Sequence, residues 1–503
     1  MSNTYNSFYI KKIFLFGKSN KNECLTFVFW ILLWFGLGSH MNETFDLKNY
    51  YFPTFSFLRS NLIFYTFSIL TIFLIIYRDT SKYLYLSIYP IFGFVGSYLN
   101  EYQSFYFSLH YCISYLTVIL LINFISSKKL NKKIIFNFFH YSLIFILVTF
   151  SIIFILPELI IKIVSSNSSA RGDNVTDFVL FNTMTFHIPQ NSNGSSRIIF
   201  VILLLLTCFY NFLLNNKFNK NTFMILTIIL ILAFINIFFQ SKLNILIFIL
   251  CCFFIFLNNG GYKNIYKILS IVIIITFPFL MNFTFTKYIS EHPDSFVEIN
   301  RILSSKEGLG IFVYKKNVKI NENTNESNAY RSYENLNNDF FKKIPDVIVD
   351  YISSDAVCTS FNTKINKFSG GRICGWEILI NAYFLDFKVF GYGFFYDQQI
   401  LKIFQKLASN SHIFVLFNAG IISFFVFVIF YLNIFLKVVN VIRKPKNNTM
   451  HSVVIQFYSI LTIYLLLRSI LEDTLAYISV DLLLMVACIS FLNYFFDISK
   501  NRA

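Results

Sequence analysis

Long apolar runs separated by short polar breaks recur from the first hundred residues of the chain to the last. Twelve of them read as membrane-spanning helices: 25–38, 61–77, 83–99, 105–126, 134–157, 198–216, 222–239, 243–258, 268–283, 411–437, 453–471 and 474–496. A helix needs about 20 predominantly apolar residues to cross a hydrocarbon core about 30 Å thick. Segment 222–239 (TFMILTIILILAFINIFF) is apolar on every face, whereas a strand of a membrane barrel would alternate in polarity over about ten residues. The pattern predicts an all-α integral membrane protein with about 12 transmembrane helices. The first run follows a long polar lead and lacks a small-x-small cleavage site, so it is read as a retained span, the shortest of the set, carrying Trp30 and Trp34.

Two polar breaks are too long to be turns. The smaller, 158–197, lies within an N-terminal block 1–283 holding the first nine spans, and the larger, 284–410, precedes a C-terminal block 411–503 holding the last three. The larger break contains 15 basic and 14 acidic residues and reads as a small, nearly neutral cap. Its stretch 315–345 is polar and Asn-rich and reads as an insertion, while 376–395 (WEILINAYFLDFKVFGYGFF) reads as a helix lying in or re-entering the interface.

Charge assigns the sides. With the N-terminus in the cytoplasm, the inward segments hold nineteen Lys and Arg residues, and the outward breaks other than 284–410 hold only Lys48, Arg59, Lys162, Arg171, Arg197 and Lys242. The positive-inside rule then places both termini in the cytoplasm and both long breaks outside. The inward acids are Glu23, Asp79 and Asp497, so the inward balance of +16 equals the whole formal charge of the chain. The basic character is a topology signal, and no clustered patch points to nucleic acid.

Composition narrows the chemistry further. Hydrophobic residues make up 56% of the chain and charged residues 14%, which excludes a water-soluble fold. A transporter would be expected to carry ionisable residues inside several spans, but here Arg468, Glu472, Asp473 and Asp481, grouped around the last two spans, are the main ones. This placement favours an enzyme at the outer leaflet over a polysaccharide or ion conduit. Of the eight cysteines, Cys358 and Cys374 lie in the larger outward segment, where a disulfide is permitted and two free thiols are the alternative. No His/Cys cluster has metal-ligand spacing.

The residues with most chemical content lie at 369–393 (SGGRICGWEILINAYFLDFKVFGYG) and 409–420 (SNSHIFVLFNAG). Arg372, then Trp376, an apolar helix, Gly391-Tyr392-Gly393, and Ser411-His412 before a span with Asn418-Ala419-Gly420 form an ordered set. That set resembles the conserved block of the O-antigen polymerase and ligase family, in which Arg, Trp, Gly-x-Gly and His-Asn lead into a Gly-rich span entrance. The span pattern and the large outward segment before the last helices resemble the family along most of the chain, and the sharp motif covers about fifty residues. There are departures. Ile413 follows His412 where many members have Asn, although Asn410 stands two positions before it. Gln240-Ser241-Lys242-Leu243 resembles a short Ser-Arg turn with Lys in the place of Arg, and an ammonium lacks the bidentate fork.

The resemblance implies a metal-independent membrane glycosyltransferase without cofactors. Its donor would be a glycan on polyprenyl pyrophosphate, and the polymerase of lipid-linked repeat units is favoured over the ligase that passes the glycan to lipid A core. Its partners would be that lipid-linked glycan, the bilayer and a chain-length regulator. The departing pyrophosphate is anionic, so Arg372 is the first candidate to hold it, with Arg171, Arg197 and Arg468 as helpers and Trp376 at the substrate. His412 is the candidate base for the acceptor hydroxyl, and Glu377 is its rival.

Overall fold

The computed structural model describes residues 21–38, 82–100, 105–127, 130–151, 175–180, 184–189, 192–216, 220–238, 242–257, 264–291, 312–315, 345–353, 372–394, 396–403, 410–443, 450–472, 475–476 and 479–500. Among them the helices are α1 (Lys21–Gly38), α2 (Ile88–Leu99), α3 (Phe105–Ile125), α4 (Lys132–Phe150), α5 (Ser192–Asn216), α6 (Lys220–Phe238) and α7 (Lys242–Leu257). They continue with α8 (Asn264–Glu291), α9 (Asp346–Ser353), α10 (Arg372–Leu385), α11 (Tyr396–Ile403), α12 (Ser411–Ile442), α13 (Met450–Leu471) and α14 (Val480–Lys500). Helices run over at least part of every expected span except 61–77, which lies outside the described residues, as do 152–157 of the fifth. Six of them, α4, α5, α6, α8, α12 and α13, are long and apolar enough to cross a membrane.

Burial sorts these helices into a centre and a rim. In α14 eight consecutive residues, Leu482 to Ile489, are buried, so the helix is enclosed on every side. It packs on α4, α12 and α13, while α5 packs on α6, α7 and α13. The rim is apolar as well. Ile422, Phe425, Ile429, Leu432 and Leu436 form a stripe at helical spacing along α12 and are exposed, as are Ile265, Leu269, Val272 and Leu280 on α8. In water such a belt would be a large exposed apolar patch. Here it is the surface of a protein solvated by lipid.

A small antiparallel sheet adds to the helices. Strands β1 (Val175–Leu180), β2 (Met184–Pro189) and β3 (Phe312–Lys315) lie in the order β2-β1-β3. The register pairs Asp177 with His187 on one side and with Tyr314 on the other. β1 and β2 belong to the break 158–197 and β3 to 284–410, so the two long breaks meet through backbone pairing. The alternation that supports this, Val-Thr-Asp-Phe-Val and Met-Thr-Phe-His-Ile, is short and was obscured by the surrounding apolar runs. Residues 316–344, most of the Asn-rich insertion, lie outside the described residues.

The expected interfacial helix over 376–395 is shorter than its apolar pattern suggested. Helix α10 begins at Arg372, ends at Leu385, and is followed by a turn in which Gly391 and Gly393 adopt φ of 69° and 97°. Such backbone favours glycine, and here close approach excludes a side chain too. A Cβ on Gly391 would lie 2.5 Å from the backbone of Asn418 and Ala419, and one on Gly393 2.4 Å from Ser97.

Candidate functional site

Helix α12 is interrupted at Gly420, whose φ of 82° and ψ of 175° lie outside the helical region. The break leaves carbonyls at the end of the segment Ser411–Ala419 without their usual helical donors. The Gly391–Gly393 turn supplies replacements: Tyr392 N donates to Phe417 O at 2.9 Å and Gly393 N to Asn418 O at 2.9 Å. On the far side of the break, Ile421 N donates to the Tyr383 hydroxyl at 3.0 Å. The turn is clamped from its other face by α2, where Ser97 Oγ accepts from Phe394 N at 2.9 Å and Asn100 Nδ2 donates to Tyr392 O at 3.2 Å. Two motifs 27 residues apart in sequence, Gly-Tyr-Gly and Asn-Ala-Gly, are thus two halves of one structural device.

Beyond this device the charged residues converge. Arg372, at the start of α10, pairs with Glu472 at 3.7 Å and donates from Nη1 to Leu471 O at 3.3 Å. Glu472 also pairs closely with Arg468 one helical turn earlier. Arg468 Nε lies 3.0 Å from Asp481 Oδ2, and Arg197 Nη1 lies 3.8 Å from the same oxygen. Three guanidiniums, +3, therefore surround two carboxylates, −2, leaving one net positive charge among these five groups. Burial pushes the Glu472 carboxyl up, but Arg468, Arg197 and Arg372 together outweigh it and hold it below the usual glutamate range.

The three arginines are not equivalent. Arg468 and Asp481 are both 0% exposed, and the Arg468 Nη1 donates at 2.7 Å to Asn244 Oδ1 and at 2.7 Å to the Tyr464 hydroxyl. Asn244 Nδ2 in turn donates to Ser196 Oγ at 2.9 Å, and Ser196 donates to Asn236 Oδ1. The Arg468 fork is consumed by the protein and ties α5, α6, α7, α13 and α14 together. By contrast the Arg372 side chain is 33% exposed, with one long ion pair and one carbonyl. The Nε of Arg197 is buried without a hydrogen-bond partner. Arg372 thus keeps donors open to an external anion, Arg197 keeps a buried one, and Arg468 braces the carboxylates beside them.

His412 lies at the start of α12, next to Ser411, which bonds to the Glu472 backbone. Asn410 caps α12 by accepting from His412 N at 2.9 Å and Ile413 N at 3.1 Å. Ser411 Oγ donates to Glu472 O at 3.0 Å and accepts from Leu475 N at 3.2 Å, which stitches this helix start to the turn after α13. The half-buried imidazole packs edge-on against Tyr431 and Phe427, with ring centroids 4.4 and 5.5 Å away. His412 Nδ1 and the Tyr431 hydroxyl are both buried without hydrogen-bond partners. Buried polar atoms left unpaired are uncommon in folded proteins and mark places where a further polar group fits.

Trp376 is half-buried on α10 one turn after Arg372, with Glu377 beside it. Arg171 lies outside the described residues, as does Cys358. Cys374 is disulfide-bonded, and Cys24, Cys112, Cys208, Cys251, Cys252 and Cys488 carry free thiols. Among the described residues no group of three or more His, Cys, Asp or Glu has metal-binding geometry. Sequence reasoning missed Asn244, Tyr464 and Ser196. Asn244 was visible as a polar residue in an apolar run (KLNILIFIL), but nothing local indicates that it faces Arg468. Comparison with protein-family models, with curated proteins and with solved structures returns no match.

Proposed function

We propose that the chain is a polymerase of lipid-linked oligosaccharide repeat units, working at the outer leaflet of a bacterial inner membrane. In this reading twelve helices span the bilayer, both termini are cytoplasmic, and residues 284–410 form an extracytoplasmic segment before the last three spans. The observation that carries it is the convergence of Arg372, Arg197 and Arg468 around Glu472, with His412 on the helix start bonded to the same turn. The basic-residue asymmetry places this end of α12 on the outer side, where a polyprenyl pyrophosphate presents its headgroup.

The chemistry then distributes as follows. The donor glycan is joined through C1 to a pyrophosphate oxygen, and the acceptor is a sugar hydroxyl on a second lipid-linked unit. His412 accepts the hydroxyl proton as the oxygen bonds to C1, and the C1–O bond to pyrophosphate breaks with its electron pair leaving on oxygen. Arg372 and Arg197 hold the charge that develops there. Guanidiniums at a water-poor site stabilise such charge by several kcal/mol, and a positioned base contributes about 10² to 10⁴ in rate. Tyr431 and Phe427 fix the imidazole plane.

Surface glycans of a deletion strain test the reading. A single repeat on lipid A core is expected without the protein, and wild-type chain lengths are expected to return with the intact gene. Arg372→Ala and His412→Ala are expected to leave the short form at normal protein level, and Arg372→Lys to rescue poorly because the planar fork is lost. Long chains stranded on polyprenyl pyrophosphate in the deletion strain would assign the ligase reaction instead. Wild-type lengths with His412→Ala would remove that residue from the mechanism.

A further inference from the structure

Glu472 has no role in the transfer just described, yet it stands where the leaving group must go. Its carboxylate is the common neighbour of Arg468, Arg197 and Arg372. The contact to Arg468 is close and lies against a fully buried guanidinium, so that side of the carboxylate is anchored. The contact to Arg372 is different: it is long, 3.7 Å, and involves a partly exposed side chain. Arg372 is independently held in place by Leu471 O, so losing the carboxylate would not release it. A diphosphate approaching Arg372 meets a carboxylate already engaged with the same fork, and two anions on one guanidinium repel at short range.

We propose that Glu472 is an internal competitor for the diphosphate: its carboxylate occupies Arg372 until a phosphate-class anion of higher charge displaces it, after which Glu472 remains paired with Arg468 alone. This rests on the reading of Arg372 as the donor-holding residue. It names a consequence that reading does not contain, a built-in weakening of anion affinity. Such weakening favours release of the spent polyprenyl pyrophosphate, since a site that held product with two net positive charges would turn over slowly. One net positive charge, rather than two, is then what the cluster offers to the anion while Glu472 stays in place.

Titration of the purified full-length protein with inorganic pyrophosphate, against sulfate at matched ionic strength, tests this directly. Glu472→Gln is expected to bind pyrophosphate at least tenfold more tightly than wild type, and Arg372→Ala added to it is expected to abolish the gain. Unchanged or weaker binding by folded Glu472→Gln overturns the proposal, as does a gain that persists without Arg372. Should Glu472→Gln fail to fold, Glu472→Asp carries the test. The shorter side chain keeps a charge for Arg468 and withdraws from Arg372, so a smaller gain is expected and no gain overturns it. The glycan assay separates the two ideas. Normal chain lengths in wild type with no tightening in Glu472→Gln remove the competitor and keep the polymerase, whereas tightening without any glycan change on gene deletion keeps the anion site and removes the polymerase.

Discussion

Replacing Arg468 and Arg372 by Ala should separate a buried brace from a partly exposed arginine, because the same chemical deletion meets opposite surroundings. Arg468 is fully buried and satisfies Asp481, Glu472, Asn244 and Tyr464 at once. Removing it leaves Asp481, also fully buried, with only Arg197 at 3.8 Å. Breaking one side of a buried pair costs about 3–5 kcal/mol, because the surviving charge keeps at best a long pair and cannot reach water. Removing Arg372 leaves Glu472 still paired with Arg468, and the lost contact is long and partly exposed, so about 1 kcal/mol or less is expected. The difference of at least about 2 kcal/mol exceeds a tenfold change in the folded fraction. Heating detergent-solubilised variants and following the surviving folded peak by size-exclusion should show Arg468→Ala melting well below wild type and Arg372→Ala close to it. Adding Asp481→Asn to Arg468→Ala removes the stranded charge and should recover part of the loss. An Arg468→Ala protein as stable as Arg372→Ala would refute the assignment of Arg468 as the brace.

Gly420→Ala places a side chain in backbone that only glycine adopts readily, with its Cβ 1.9 Å from Val389 O, so a loss of more than about 2 kcal/mol and a collapse in folded yield are expected. An unchanged melting profile would mean that α12 is continuous. The pH dependence follows from Glu472, whose carboxyl is held below its unfolded range. Its stabilising contribution is fully present above the ordinary glutamate pKa of about 4.3 and is lost as pH falls through the depressed folded value. Melting temperature should therefore drop on acidification below that range, and the drop should be smaller in Glu472→Gln.

The helical architecture was legible because lipid demands it: a run such as 222–239 has no stable alternative in hydrocarbon, and it folds as α6. The boundaries were less legible. The apolar pattern from Trp376 to Phe395 continued past Leu385, and only positive φ at Gly391 and Gly393 turns it, a property residue type permits without dictating. Arg468, Glu472 and Asp481 could be picked out because charge within or beside apolar segments is costly and so rare, and Arg372 by the ordered motif that it opens. Their pairing could not, since the ion pairs join positions as far apart as Arg197 and Asp481 and depend on helix order. The sheet was hidden for the same reason: β1 and β3 are separated by more than a hundred residues of chain.

The break at Gly420 supplies the link between these levels. A continuous α12 would satisfy its own carbonyls and leave nothing for the Gly391–Gly393 turn to bind. With the break, that turn bonds Phe417 and Asn418 on one side while Tyr383 of α10 bonds Ile421 on the other, so α10 is fixed against α12 at its C-terminal end. The N-terminal end of α10 carries Arg372 to the Leu471–Glu472 turn, and Ser411 bonds α12 to that same turn. Arg372 and His412 are therefore positioned through a closed circuit of backbone contacts, running from α10 through the broken helix to Glu472 and back. Forty residues of chain lie between them, and hydrogen bonds to main chain from the Arg372 and Ser411 side chains hold both segments to the Leu471–Glu472 turn. The proposed transfer from an anionic leaving group to a hydroxyl would require fixed spacing between a cation and a base, because misplacement by about 1 Å can cost on the order of 10² in rate. Under that proposal the glycines would act through this circuit, without touching the reacting atoms themselves.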